Sequence, residues 1–268
     1  MHIYRCGLEL LDYLFFATTE RGKTFETGPF IHNYALTYAL AAAGALVLPA
    51  TRPRYYYEQQ RPDYEGELRP LNERGTYVTP ARPTRLTFRQ TQFNTIKEGY
   101  SLGGKARSIA YPDWGFLRLI SPGSHFVFFV LSRDPLPRRA YLRLGKFLSK
   151  ARVQWWEAES VRDVPTGPFE HRGLLNWRDL VRKPTIFDLL PAALPSKLID
   201  NARFSEGRHW IARFGQLEMA LPIEMEYLPA GEDISSGTGG APGPKAPGRD
   251  SGGKEPARPG RGRKKKLT

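Results

Sequence analysis

Arg138, Arg139, Arg143, Lys146, Lys150 and Arg152 stand together between Asp134 and Glu157 with no carboxylate among them. Guanidinium and ammonium groups at this density neutralise phosphates and release the counterions condensed on a nucleic-acid backbone. A solvated basic face carries the same residue types, so the charge of the rest of the chain decides between the readings. Lys146 and Lys150 are four apart, so a helix over this segment places them on one face. Gly145 just before them permits close approach to a phosphate, and a helix start there adds its dipole. Arg143, Lys146, Lys150 and Arg152 are the phosphate-contacting residues expected here.

Two further stretches have related chemistry. Gly99-Tyr-Ser-Leu-Gly-Gly-Lys-Ala106 approaches the phosphate-cradling P-loop pattern but ends in Ala106, where a magnesium-holding Ser or Thr belongs. No apolar strand leads into it, so nucleotide hydrolysis is set aside, while Lys105 and Arg107 remain candidates for holding a backbone. Arg52-Pro-Arg-Tyr-Tyr-Tyr57 interleaves cations with π-surface, the combination that holds single-stranded nucleic acid. Arg54 and Tyr55 are its expected contacts; tyrosines packing as strand residues are the alternative. His2, His32, His125, His171 and His209 are scattered without ligand spacing, so neither a metal site nor any other cofactor is expected.

The chain of 268 residues has a formal net charge of +13. Residues 230–268 hold ten glycines, five prolines, nine Lys/Arg and four Asp/Glu, a net of 9 − 4 = +5, which leaves 13 − 5 = +8 on the remainder. A basic remainder favours phosphate contacts over a merely solvated face. The glycine- and proline-rich tail buries too little apolar surface to offset its ordering entropy and reads as a disordered basic extension. Residues 1–229 suffice for one domain with a sizeable core. The single cysteine, Cys6, excludes an internal disulfide and reads as inert packing. Residues 1–16 contain Glu9 and Asp12 and lack a basic leader, so a cytoplasmic protein without membrane attachment is expected.

The elements that position these groups follow from periodicity. Tyr4, Cys6, Leu8 and Leu10 alternate with Arg5, Gly7 and Glu9 as in a half-buried strand. Thr27-Gly-Pro29 reads as a helix start, residues 30–43 are uncharged, and Gly44 suits a left-handed cap. A helix apolar on nearly every side and too short to cross a bilayer packs on a sheet. The prolines between 45 and 85 point to an insertion leaving the core, a thumb-like arm over about 45–110 with a strand near 87–93. Residues 116–120 and 125–131 flank a turn and read as a hairpin, the second strand being continuously apolar and central. A short helix over 186–200 and an alternating edge strand over 217–227, marked by Pro222, complete the order. The class is α+β, an elaborated ferredoxin-like (βαββαβ) fold with an inserted arm.

His2-Ile-Tyr-Arg-Cys-Gly-Leu-Glu-Leu10, Leu14-Phe-Phe-Ala-Thr-Thr-Glu20 and Pro29-Phe-Ile-His-Asn-Tyr-Ala-Leu-Thr-Tyr-Ala-Leu40 resemble the Cas-five-type subunit of type I-D CRISPR effector (Cascade) complexes. Tyr141-Leu-Arg-Leu-Gly-Lys-Phe-Leu-Ser-Lys-Ala-Arg152 is similar to that family's basic glycine segment. The resemblance covers residues 1–228. It implies a RAMP-type ferredoxin-like fold with a protruding thumb. It also implies a noncatalytic role, gripping the 5′ handle of the CRISPR RNA (crRNA) and capping the backbone filament. The large subunit would dock nearby, with the PAM-proximal target DNA passing close. The rival expectation is a metal-independent endoribonuclease processing precursor crRNA, with His32 or His209 as general acid–base groups. A third is a duplex-DNA binder acting through the basic tail.

Overall fold

The computed structural model describes residues 1–48, 62–95, 113–137, 139–190 and 195–229. The opening alternation forms β1 (His2–Leu10), followed by the short strands β2 (Thr19–Arg21) and β3 (Thr24–Glu26) and helix α1 (Asn33–Ala42). Two helical turns, α2 (Tyr64–Glu67) and α3 (Pro70–Glu73), precede β4 (Tyr77–Val78), β5 (Arg82–Arg85) and β6 (Phe88–Thr95). Then come β7 (Asp113–Ile120), β8 (His125–Ser132), β9 (Arg139–Leu144) and β10 (Ser149–Glu157). The C-terminal third adds β11 (Ser160–Val164), β12 (Phe169–His171), β13 (Leu175–Asn176), a 3-10 turn (Trp177–Asp179) and β14 (Ile186–Leu190). It closes with β15 (Leu198–Phe204), β16 (His209–Phe214) and β17 (Leu217–Pro222). The protein is mostly β, built from several largely antiparallel sheets.

The central sheet runs β4-β8-β1-β10-β9, with β5 also on β8, and every pairing in it is antiparallel. β1, α1 and β4 make a crossover with β8 between the two strands, the first half of a βαββαβ pattern. The second helix of that pattern is missing among the described residues. Between β8 and β10 the chain holds Pro135 and Pro137, which cannot continue a helix. Ala140, Leu142 and Leu144 then alternate at period two and form the edge strand β9. α1 packs on this sheet, bringing Leu36, Ala39 and Leu40 against Tyr4, Cys6, Leu8, Phe126, Phe128, Leu142 and Val153. Cys6 is fully buried there, and burial pushes its thiol pKa up, which removes thiolate reactivity.

The helix begins later than Thr27-Gly-Pro29 predicts, because residues before it are held as extended chain. Thr27 Oγ1 accepts from the Phe16 N–H, and Ile31 bridges Ala81. His32 is the N-cap, its Nδ1 accepting from the Tyr34 N–H. The helix ends as expected at Gly44, with φ of 72°. The Ala45 N–H bonds the Leu40 carbonyl and the Gly44 N–H the Ala41 carbonyl, the paired bonds of a Schellman cap.

Four sequence expectations give way. β7 and β8 are not a hairpin: β7 pairs β6 and β3 in a second sheet, because Leu14 bridges Ile120 and splits the two strands. Residues 186–200 hold no helix among their described members; β14 and β15 pair there instead. Residues 62–85 do not leave the core, since β4 and β5 both lie on β8. The alternation over 217–227 is a strand only to Pro222, although β17 is indeed the edge of the sheet β11-β16-β17. The paired strands β6 and β7 flank residues 96–112, and that part of the predicted arm, like residues 49–61 and the tail from 230, lies outside the described residues.

A second core covers part of the central sheet's other face. Ile3, Phe129 and Leu131 meet Leu175, Leu180, Ile199, Met225 and Tyr227 there. At its centre Asp179 is wholly buried and accepts from Tyr34 Oη at 2.6 Å, Asn33 Nδ2 at 2.8 Å, Asn176 Nδ2 at 2.9 Å and Tyr77 Oη at 3.0 Å. One carboxylate thus ties α1, β4 and the 3-10 turn together.

Candidate nucleic-acid interface

The second core stops short of the β10–β9 side of the sheet, so strand positions pointing away from α1 there are left open. Cross-strand register sorts them into rows. Arg85, His125, Glu9, Arg152 and Tyr141 form one row; Arg82, Val127, Gly7, Gln154 and Arg139 form the next. Arg5 faces Trp156 beyond the second row, and Lys150 faces Arg143 beyond the first. None of these residues is buried. Seven are basic and one, Glu9, is acidic, and Arg82 is paired with the Asp200 carboxylate at 3.2 Å.

Two exposed aromatic rings stand on this basic surface. Tyr141 is 60% exposed and Trp156 50% exposed. The indole reaches over Gly7, where an added Cβ would come within 3.2 Å of its Cζ3, and the Arg5 guanidinium lies 5.9 Å from its ring centre. A sheet face with aromatic rings set among cations is how several folds bind single-stranded RNA, by stacking bases and neutralising phosphates.

Of the predicted site residues, Arg143 and Lys150 are cross-strand partners on this face. Arg152 joins them but is paired with the Glu9 carboxylate, which leaves less of its charge for a ligand. Lys146 sits apart, exposed in the turn between β9 and β10, so it shares no helical face with Lys150. The helix expectation fails because 139–144 and 149–153 alternate buried and exposed residues at period two. Gly145 also serves a different purpose than predicted. Its φ is 70°, and a Cβ there would lie 2.5 Å from the Phe15 carbonyl oxygen. Close packing of the chain on itself, with the Lys146 N–H bonded to that carbonyl at 2.9 Å, requires the glycine. Lys105, Arg107, Arg54, Tyr55 and Arg138 lie outside the described residues.

Arg5, Tyr141 and Trp156 were missed by sequence reasoning, and Arg139, counted in the basic cluster, was left out of the expected contacts. The signal was present, since Arg5, Arg139 and Tyr141 alternate with buried strand residues and Trp156 continues the outward positions of β10. The two histidines considered as acid–base groups are both engaged. His32 Nδ1 accepts from the Tyr34 N–H, so its Nε2 carries the proton and meets Ser196 Oγ at 3.0 Å. Burial lowers the His32 pKa to about 3, so the ring is neutral. His209 is buried on β16, with Nδ1 3.1 Å from the Gly207 carbonyl and its ring stacked on Phe169 at 4.2 Å. Among the described residues no three His, Cys, Asp or Glu side chains gather as a metal-binding group, and no helix is long and apolar enough to cross a membrane.

Residues 1–230 match the family described as type I-D CRISPR-associated protein Cas5/Csc1. The chain belongs to that family. The type I-D CRISPR resemblance of the N-terminal and basic segments is thereby borne out. A crystal structure of a CRISPR protein from Archaeoglobus fulgidus is similar at a TM-score of 0.40 and 11% identity, covering 83% of this chain and 100% of that one. A search of the curated proteins gives no match.

Proposed function

We propose that this Cas5/Csc1 family member is the crRNA-binding subunit of a type I-D Cascade surveillance complex. It grips the 5′ handle and has no chemistry of its own. In this reading residues 1–229 are an elaborated ferredoxin-like RNA-binding domain, the β6–β7 hairpin is the base of its thumb, and residues 230–268 are a basic tail. The backbone filament and the large subunit are its protein partners, the PAM-proximal target DNA passes nearby, and the complex works in the cytoplasm.

The observation that carries the reading is the open face of β1, β8, β9 and β10. Arg5, Arg139, Arg143 and Lys150 supply phosphate contacts there, and Tyr141 and Trp156 supply stacking surfaces. Phosphate contacts position an RNA, whereas stacked bases select single strands over duplexes. The endoribonuclease alternative is less well supported. His32 has both ring nitrogens engaged and burial lowers its pKa to about 3, so this ring offers no free acid or base to a ribose hydroxyl.

Co-expression with the neighbouring genes of its locus, followed by sequencing of the copurified RNA, tests the assignment. Short RNAs sharing one constant 5′ end are expected. Random cellular RNA would sink the handle assignment, and a discrete product from precursor RNA incubated with the pure protein in EDTA would revive the ribonuclease.

A further inference from the structure

Beside the turn that holds Lys146 the chain encloses an open cavity of about 310 Å3. That is the low end for small-molecule sites, which run from about 300 to 1,000 Å3, and matches one flat ring system rather than a peptide or duplex. Phe16, Phe30, Tyr34, Tyr38 and Tyr64 give it aromatic walls, with Ala35 of α1 between them. The hydroxyls of Tyr34 and Tyr38 are turned elsewhere, as is the His32 ring. Tyr34 Oη donates to Asp179 at 2.6 Å, Tyr38 Oη donates to Glu67 Oε2 at 2.5 Å, and both nitrogens of His32 are engaged. What faces the cavity is therefore mostly carbon and π-surface.

The charge at the cavity has one sign. Lys146 is the one cation among its described lining residues, which include no carboxylate. Lys146 is exposed, and in the same turn the Arg143 guanidinium donates to the Leu148 carbonyl at 3.2 Å. Arg143 belongs to the basic sheet face, so the turn joins that face to the cavity.

We propose that this cavity takes one nucleobase of the bound RNA strand, stacked among Phe16, Tyr38 and Tyr64, with Lys146 holding the phosphate of the same nucleotide. The inference rests on the RNA-binding reading above and deepens it. A strand crossing the open face and rounding the β9–β10 turn delivers one extruded base to α1, where position along the RNA is sensed by the presence of a base.

The test uses the full chain and a short single-stranded RNA in which each nucleotide in turn is made abasic, with affinity read by fluorescence anisotropy. One position is expected to lose about ten-fold or more on base removal, the scale of one stacked base. Ala35→Phe fills the cavity. It should lower the affinity for intact RNA to that for the abasic strand and leave the abasic strand's affinity unchanged. Tyr64→Ala, which removes a wall without adding volume, provides the same readout should the larger side chain unfold α1, as thermal unfolding would reveal. Absence of any base-sensitive position, or sensitivity that persists in both variants, overturns the proposal while the RNA-binding reading stands. Failure of the wild-type chain to bind RNA overturns both.

Discussion

Neutralising Arg143 and Lys150 together tests the open face most directly. Both side chains are exposed cross-strand partners, and only Arg143 has a hydrogen bond, to the Leu148 carbonyl. Replacing each with Gln should therefore alter stability little. The effect on RNA follows from counterion release. Each single-strand phosphate contact adds about 0.7 to the slope of log affinity against log salt, so the double variant should bind with a slope smaller by about 1.4. Referred to 1 M salt, one contact is worth about four-fold at 0.15 M and two are worth about fourteen-fold. Titrating handle RNA at several salt concentrations by anisotropy measures both quantities. Trp156→Ala is the contrast, because a stacking residue should lower affinity several-fold with the salt slope unchanged. An unchanged slope in the Arg143→Gln/Lys150→Gln variant would refute the argument, whatever the affinity does, since it would mean that neither cation meets a phosphate.

Two further predictions concern what holds the face in place. Gly145→Ala should destabilise the chain by more than Gly44→Ala in urea unfolding. Both glycines have positive φ, which costs an L-residue about 1–2 kcal/mol. A Cβ at Gly44 meets nothing within 4 Å, whereas one at Gly145 meets the Phe15 carbonyl oxygen at 2.5 Å; equal losses would show that this contact relaxes freely. The second prediction is a pH dependence. Burial raises the Asp179 pKa from 3.8 to about 6, against the lowering effect of its hydrogen-bond donors. A raised folded-state pKa makes the native state bind more protons than the unfolded one between about pH 4 and 6. Stability from this group is thus full below about pH 4 and falls by about 3 kcal/mol as pH rises through 6. Asp179→Asn should remove that slope in urea titrations across the window, and a wild-type chain that gains stability relative to the variant as pH rises would contradict the sign.

Local pattern made β1, α1 and the Gly44 cap legible, because each is decided by neighbours within a few residues. The elements that went astray were decided by distant ones. Residues 186–190 become a strand because 198–204 lie beside them, and β7 leaves β8 for β6 and β3 because Leu14 intervenes. The basic segment shows both effects. Its residue types point to phosphate, but the four-residue spacing of Lys146 and Lys150 suggests a helix where Ala140, Leu142, Leu144, Ala151 and Val153 alternate as strands. Reading period two separately through 139–144 and 149–157, with a turn at Gly145 between them, sets Arg139, Tyr141 and Arg143 opposite the buried side of one strand and Lys150, Arg152, Gln154 and Trp156 opposite that of the next.

What no local pattern reveals is that β1 lies beside that hairpin, some 150 positions earlier in the chain, and adds Arg5 to its charge. Gly7 marks the junction. A glycine inside an alternating strand signals that something must come close, either a backbone or a large side chain. Here the visitor is Trp156, and the glycine lets the indole spread across β1 with half its surface still open. A Cβ at position 7 would lie 3.2 Å from the ring, so the indole would have to yield by a few tenths of an ångström to admit one. The same glycine therefore serves the packing of the sheet and the presentation of its stacking surface.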